Sequence, residues 1–110
     1  MLPITKNFVC YKGQTFIQNI YLKINEMPYD LNGCIARAQI RPKENSNTLT
    51  ANFTTEIDGN EGRIGLILNA DITSEIRPGS YFYDLKTIDE NDIVKYWLKG
   101  KFTVIGRVTV

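Results

Sequence analysis

The chain predicts an all-β fold: a sandwich of about seven short antiparallel strands. Three observations carry this. Apolar and polar residues alternate with a period of two through most segments, most cleanly in "CIARAQIR" (Cys34–Arg41). Turn-forming residues recur roughly every 8–12 positions. No segment of helical period alternates with the strands, so a parallel sheet built from strand–helix–strand units does not fit.

The elements follow in order. "FVCYKG" (Phe8–Gly13) is a first strand, and "QTFIQNIYLKI" (Gln14–Ile24) a second, mixing β-branched and aromatic residues with polar ones. Asn25–Gly33 is turn chemistry, with Pro28, Asp30, Asn32 and Gly33 close together. In Cys34–Arg41 the set Cys34, Ala36, Ala38 and Ile40 faces the core, and Ile35, Arg37, Gln39 and Arg41 face away. Pro42 lacks the N–H a ladder needs and ends that strand, and a polar loop runs to Thr50. Ala51–Ile57 and Gly62–Asn69 form a hairpin around Asp58-Gly59, a strong local turn signal. Asp71–Ile76 is one helical turn at most, with Asp71 placed to cap it. Ser80–Ile88 and Ile93–Gly106 make a second hairpin around "DEND". The final "RVTV" closes the chain as a short edge.

Pro78-Gly79 sets a rigid residue before a permissive one, which suits a tight turn into the next strand. Tyr81 opens that strand. In immunoglobulin-like sandwiches a tyrosine at this place buries its ring and hydrogen-bonds back to the upstream backbone, pinning the crossing between sheets. By period two, Tyr81, Tyr83 and Leu85 point inward, whereas Phe82 and Asp84 point out. Pro78, Gly79 and Tyr81 therefore read as the corner.

The size, 110 residues, fits one domain spanning 1–110. Thirteen basic and twelve acidic side chains leave a net charge of +1, so no overall excess points to nucleic acid. The start, "MLPITKNFVCYKG", has no apolar core after a charged segment, and no apolar run is long enough to span a bilayer. The expectation is a chain made in the cytoplasm, without a cleaved export signal and without a membrane partner. Cys10 and Cys34 read as small core side chains rather than a disulfide.

Catalytic sets are missing. Without histidine, Ser-His-Asp and Cys-His arrangements are impossible. No glycine-rich loop precedes a Lys-Ser/Thr pair, and no spacing singles out two carboxylates. The expectation is no enzyme, no cofactor and no metal. The acidic turns Glu56–Gly62 and Ile88–Asp92 read as solvated hairpin tips rather than calcium loops. Tyr29, Phe82, Tyr96 and Trp97 are the aromatic candidates for a sugar platform. In "KYWLKGKF" strict alternation sends either Tyr96 and Leu98, or Trp97 and Lys99, inward, and Trp97 reads as core. Lys95, Lys99 and Lys101 share the face of Trp97 by period two, so an exposed basic edge is the rival picture. Phe82, Tyr96, Trp97 and Lys99 form the candidate interface.

Three stretches also carry a resemblance. "MPYDLNGCIARAQIRPK", "EGRIGLILNADITSEIRPGSYFYDL" and "WLKGKFTVIGRVT" occur in the order and spacing seen in small bacteriophage tail and baseplate domains. From about Tyr11 to Val110 the chain resembles the immunoglobulin-like domain at the N-terminus of phage baseplate upper proteins. That resemblance implies a structural role with no active site, and it makes Thr73, Pro78, Gly79, Tyr81, Tyr83 and Asp84 the fold-defining corner set. The expected protein is a small tail, baseplate or neck subunit in the virion, docking on other virion proteins through sheet edges and forming a homo-oligomer in a symmetric particle. A carbohydrate- or host-surface-binding module and a capsid decoration protein are the alternatives.

Overall fold

A computed structural model describes residues 3–109. The strands are β1 (Ile4–Thr5), β2 (Phe8–Tyr11), β3 (Phe16–Tyr21), β4 (Lys23–Ile24), β5 (Met27–Pro28), β6 (Ile35–Arg41), β7 (Ala51–Asn52), β8 (Thr54–Asp58), β9 (Arg63–Leu68), β10 (Gly79–Ile88) and β11 (Val94–Ile105). One short helix, α1 (Ala70–Thr73), joins β9 to β10. The larger sheet runs β1-β11-β10-β6-β7, with β2 also on β11, and the smaller one runs β3-β9-β8. The fold is the all-β sandwich expected from the alternation.

The inner faces meet as the period of two requires. Ala36, Ala38, Ile40, Tyr83, Leu85, Phe102 and Val104 come from the larger sheet, and Phe16, Ile20, Ile64, Leu66 and Leu68 from the smaller; all are buried. Phe16 packs edge-on against Phe102 at 5.2 Å and Phe53 against Phe102 at 5.7 Å, so aromatic pairs stitch the two layers.

The expected antiparallel arrangement fails at one edge. β1 and β2 pair with β11 in parallel, Ile4 opposite Leu98 and Phe8 opposite Phe102, in one continuous register. Between them the Lys6 carbonyl passes over Gly100, where a Cβ would stand 2.1 Å from the oxygen. Only a residue without a side chain admits that approach.

Other boundaries shift as well. Ala51–Ile57 is two strands: Ala51 pairs with Ile40 of the larger sheet, and Thr54 with Ile67 of the smaller, so the chain changes sheets at Phe53. Gln14–Ile24 also divides, because Asn25 and Glu26 adopt φ of 52° and 66° and turn β4 back on β5. Such a pair of left-handed residues closes a tight two-residue hairpin. Asp71 does not cap α1. Asn69 occupies the N-cap without a side-chain bond, and the Asp71 carboxylate accepts from the neighbouring Ile72 N–H. Arg107–Thr109 lie outside any strand, so the expected terminal edge is absent among the described residues.

The corner forms as expected at Tyr81, whose hydroxyl donates to the Arg77 carbonyl. Thr73 is fully buried and donates to the Gln14 carbonyl at 2.8 Å, tying α1 to the start of β3. The Tyr83 hydroxyl donates to the Lys6 carbonyl at 2.6 Å, beside Gly100. Asp84 is the exception in the corner set. It stands on the outer face in the middle of β10, away from the turn.

Candidate functional site

The outer face of the larger sheet is floored by β6, β10 and β11, whose registers set its side chains in rows. Arg41, Phe82 and Lys101 form the first row, and Gln39, Asp84 and Lys99 the second. Arg37, Lys86 and Tyr96 form the third. Five cations, two aromatic rings and one carboxylate thus occupy one face of a chain whose net charge is only +1. Together they line a groove of about 640 Å³. Lys43, Glu44 and Asn45 of the β6–β7 loop stand on one side, and Thr5 and Asn7 on the other.

This face depends on a bulge. The β10–β11 register shifts between Leu85 and Lys86, leaving Leu85 opposite Leu98 but Lys86 opposite Tyr96. Trp97 is the extra residue. A bulge breaks strict alternation, and here Trp97 and Leu98 both turn inward. The Trp97 indole N–H donates to Thr87 Oγ1 at 2.9 Å in the core, and the ring packs edge-on to Tyr29 at 4.9 Å. Both alternatives drawn from simple alternation are corrected. Tyr96, Lys99 and Lys101 share the outer face, Trp97 is core, and Lys95 lies on the side of Trp97 with Nζ bonded to the Tyr29 hydroxyl at 2.7 Å. Of the candidate interface set, Phe82, Tyr96 and Lys99 come together and Trp97 leaves.

Several of these groups are held in place. Arg41 donates to Gln39 Oε1 at 2.8 Å and to the Ser46 carbonyl at 3.1 Å. Gln39 in turn donates to Asn52 Oδ1 at 3.0 Å. Lys86 Nζ lies 5.8 Å from the centre of the Tyr96 ring. Asp84 sits among them with its carboxyl raised above the usual range by partial burial, against the opposing pull of Lys86 and Arg41.

The remaining candidates fall elsewhere. Cys10 is buried and Cys34 half-buried, both as free thiols. Burial raises both, and Asp89, Asp30 and Glu90 raise Cys34 further. The two acidic turns are hairpin tips, in which Asp89 Oδ1 accepts from the Asn91 and Ile93 N–H groups. Among the described residues no group of three or more Cys, Asp or Glu is placed to hold a metal ion. No helix among them is long and apolar enough to cross a membrane.

No family model and no curated protein matches the chain. Among 203 chains of solved structures that match is CopC from Methylosinus trichosporium OB3b. The likeness has 19% identity and a TM-score of 0.42, and covers 68% of this chain. It spans 66% of the CopC chain, just short of two thirds. The expected role as a bacteriophage virion subunit is withdrawn, since neither a family model nor a curated protein supports it. The alternative of a capsid decoration protein is withdrawn with it. The physical reason lies in what the quoted motifs build. Pro78, Gly79, Tyr81, Tyr83 and Leu85 make the corner and the inner face of β10, features of a sandwich that host many functions. At this identity and TM-score, no property of CopC passes to this chain.

Proposed function

We propose that the protein is a non-enzymatic binding module that holds an anionic ligand on the outer face of its larger sheet. One observation carries the reading: strand register collects Arg37, Arg41, Lys86, Lys99 and Lys101 around a groove, on a chain with almost no charge excess. Cations gathered in a concave surface with low-dielectric walls focus the field and attract anions. Gln39, Asn52 and Ser46 hold Arg41, so less side-chain freedom is lost when a ligand binds.

Chromatography on phosphocellulose at pH 8 tests this. The sequence isoelectric point is 7.7, so overall charge does not favour retention there. The protein is expected to bind and elute with salt. Arg37→Glu with Lys86→Glu is expected to flow through, whereas the charge-matched pair Lys12→Glu with Lys23→Glu, outside the groove, is retained. Equal behaviour of the two double variants would refute a localised site.

A further inference from the structure

Resting on that anion-binding reading, we propose that the ligand is a single strand of nucleic acid, laid along β10 with a base stacked on Phe82. The groove floor is three strands wide, about 10 Å at the usual strand spacing, and has side chains standing on both flanks. That width takes one polymer strand and not a duplex. Phe82 stands on the central strand, with Arg41 opposite on one side and Lys101 on the other. An aromatic face between two cations is the arrangement in which a planar base stacks while its flanking phosphates meet positive charge.

The middle row supplies what a plain anion trap lacks. Asp84 is an acceptor for exocyclic amino groups, and Gln39, whose amide already binds Arg41 and Asn52, keeps one N–H and one oxygen lone pair, so the two match the edges of unpaired bases. Tyr96, 43% exposed, lies two rows along and one strand over, as a second ring for a base further down the strand. Acidic polysaccharides share the charge but have no planar π-face to lay on Phe82. The sequence-based expectation of no nucleic-acid partner rested on net charge, which does not see this segregation.

The experiment is fluorescence anisotropy of the full chain with a labelled 12-nucleotide single strand of mixed dA and dC, whose bases carry exocyclic amino groups. The same strand made duplex, inorganic polyphosphate and heparin serve as competitors. Single-stranded oligonucleotide is expected to bind more tightly than duplex, polyphosphate or heparin. The slope of log K against log salt is expected at about −2 to −3.5, for three to five phosphates neutralised at ~0.7 each. Phe82→Ala is expected to weaken binding about 10-fold with the salt slope unchanged, because the lost term is stacking. Phe82→Trp is expected to retain binding, which separates stacking from a folding defect. Lys101→Gln is expected to lower the slope magnitude by ~0.7. If heparin or polyphosphate binds as tightly as the oligonucleotide, or Phe82→Ala binds like the parent, nucleic acid is overturned while the anion site stands. Binding to none of these polyanions removes both.

Discussion

Gly100→Ala is the sharpest test of the fold around the groove. A Cβ at this position would stand 2.1 Å from the Lys6 carbonyl oxygen, 2.8 Å from its carbon and 2.9 Å from Asn7 Oδ1, all inside the 3.0 Å that real Cβ atoms keep. The first two neighbours are backbone, so the segment between β1 and β2 has to lift. Three hydrogen bonds depend on its position: Lys6 N–H to the Lys99 carbonyl at 2.8 Å, Lys101 N–H to Asn7 Oδ1 at 2.9 Å, and the Tyr83 hydroxyl to the Lys6 carbonyl at 2.6 Å. At ~1 kcal/mol each, their loss costs about 3 kcal/mol. Alanine in a strand regains ~0.5–1 kcal/mol over glycine. The net expectation is a destabilisation of about 2 kcal/mol, which lowers Tm by roughly 8–16 °C in a domain of this size. Differential scanning calorimetry reads it directly. Gly106→Ala is the control, since its Cβ would meet the Pro78 ring, Cγ at 3.5 Å and Cβ at 4.0 Å, both ordinary contacts. A Gly100→Ala protein melting within about 2 °C of the parent would refute the close approach, and with it the parallel edge.

Other outcomes are equally definite. Thr87→Val strands the buried Trp97 indole N–H and is expected to cost ~1–3 kcal/mol in urea unfolding, more than it costs in a Trp97→Phe background. Tyr81→Phe removes the bond to the Arg77 carbonyl and is expected to lower the urea midpoint by ~1 kcal/mol of stability at unchanged slope. Asp84 has a folded-state pKa above its unfolded value of 3.8, so its ionisation opposes folding. That penalty is absent well below pH 3.8 and complete once pH passes the folded value. The parent is therefore expected to lose stability relative to Asp84→Asn as pH rises through that window, and its polyphosphate affinity to fall over the same range. Cys34 is expected to react with Ellman's reagent more slowly than a free peptide thiol, because burial and then Asp89, Asp30 and Glu90 disfavour its thiolate; Glu90→Gln is expected to speed it.

What local pattern dictates was legible in the sequence. The inward set Ala36, Ala38 and Ile40, the Asp58-Gly59 hairpin and the inward Tyr83 and Leu85 each follow from residues a few positions apart. The binding face was not, because it arises from register between strands far apart in the chain. Arg41 meets Phe82 across 41 positions, and no window of sequence shows that pairing. Alternation also misplaced the Lys95–Lys101 segment, since one bulged residue inverts every side chain on its far side. Phe53, read as mid-strand, is instead where the chain leaves one sheet for the other, a change made by packing against Phe16 and Phe102 rather than by any turn residue. The quoted phage-like motifs encode the corner and core, which explains why they speak to architecture and not to role.

The side-by-side run of β1 and β2 with β11 has a mechanical consequence. Both partners point the same way, so a force drawing Pro3 and Thr109 apart slides one strand along the other instead of peeling it away. Every bond along that seam bears load at once. Gly100, where the Lys6 backbone lies closest, is the point at which such a seam would be weakened by a single methyl group.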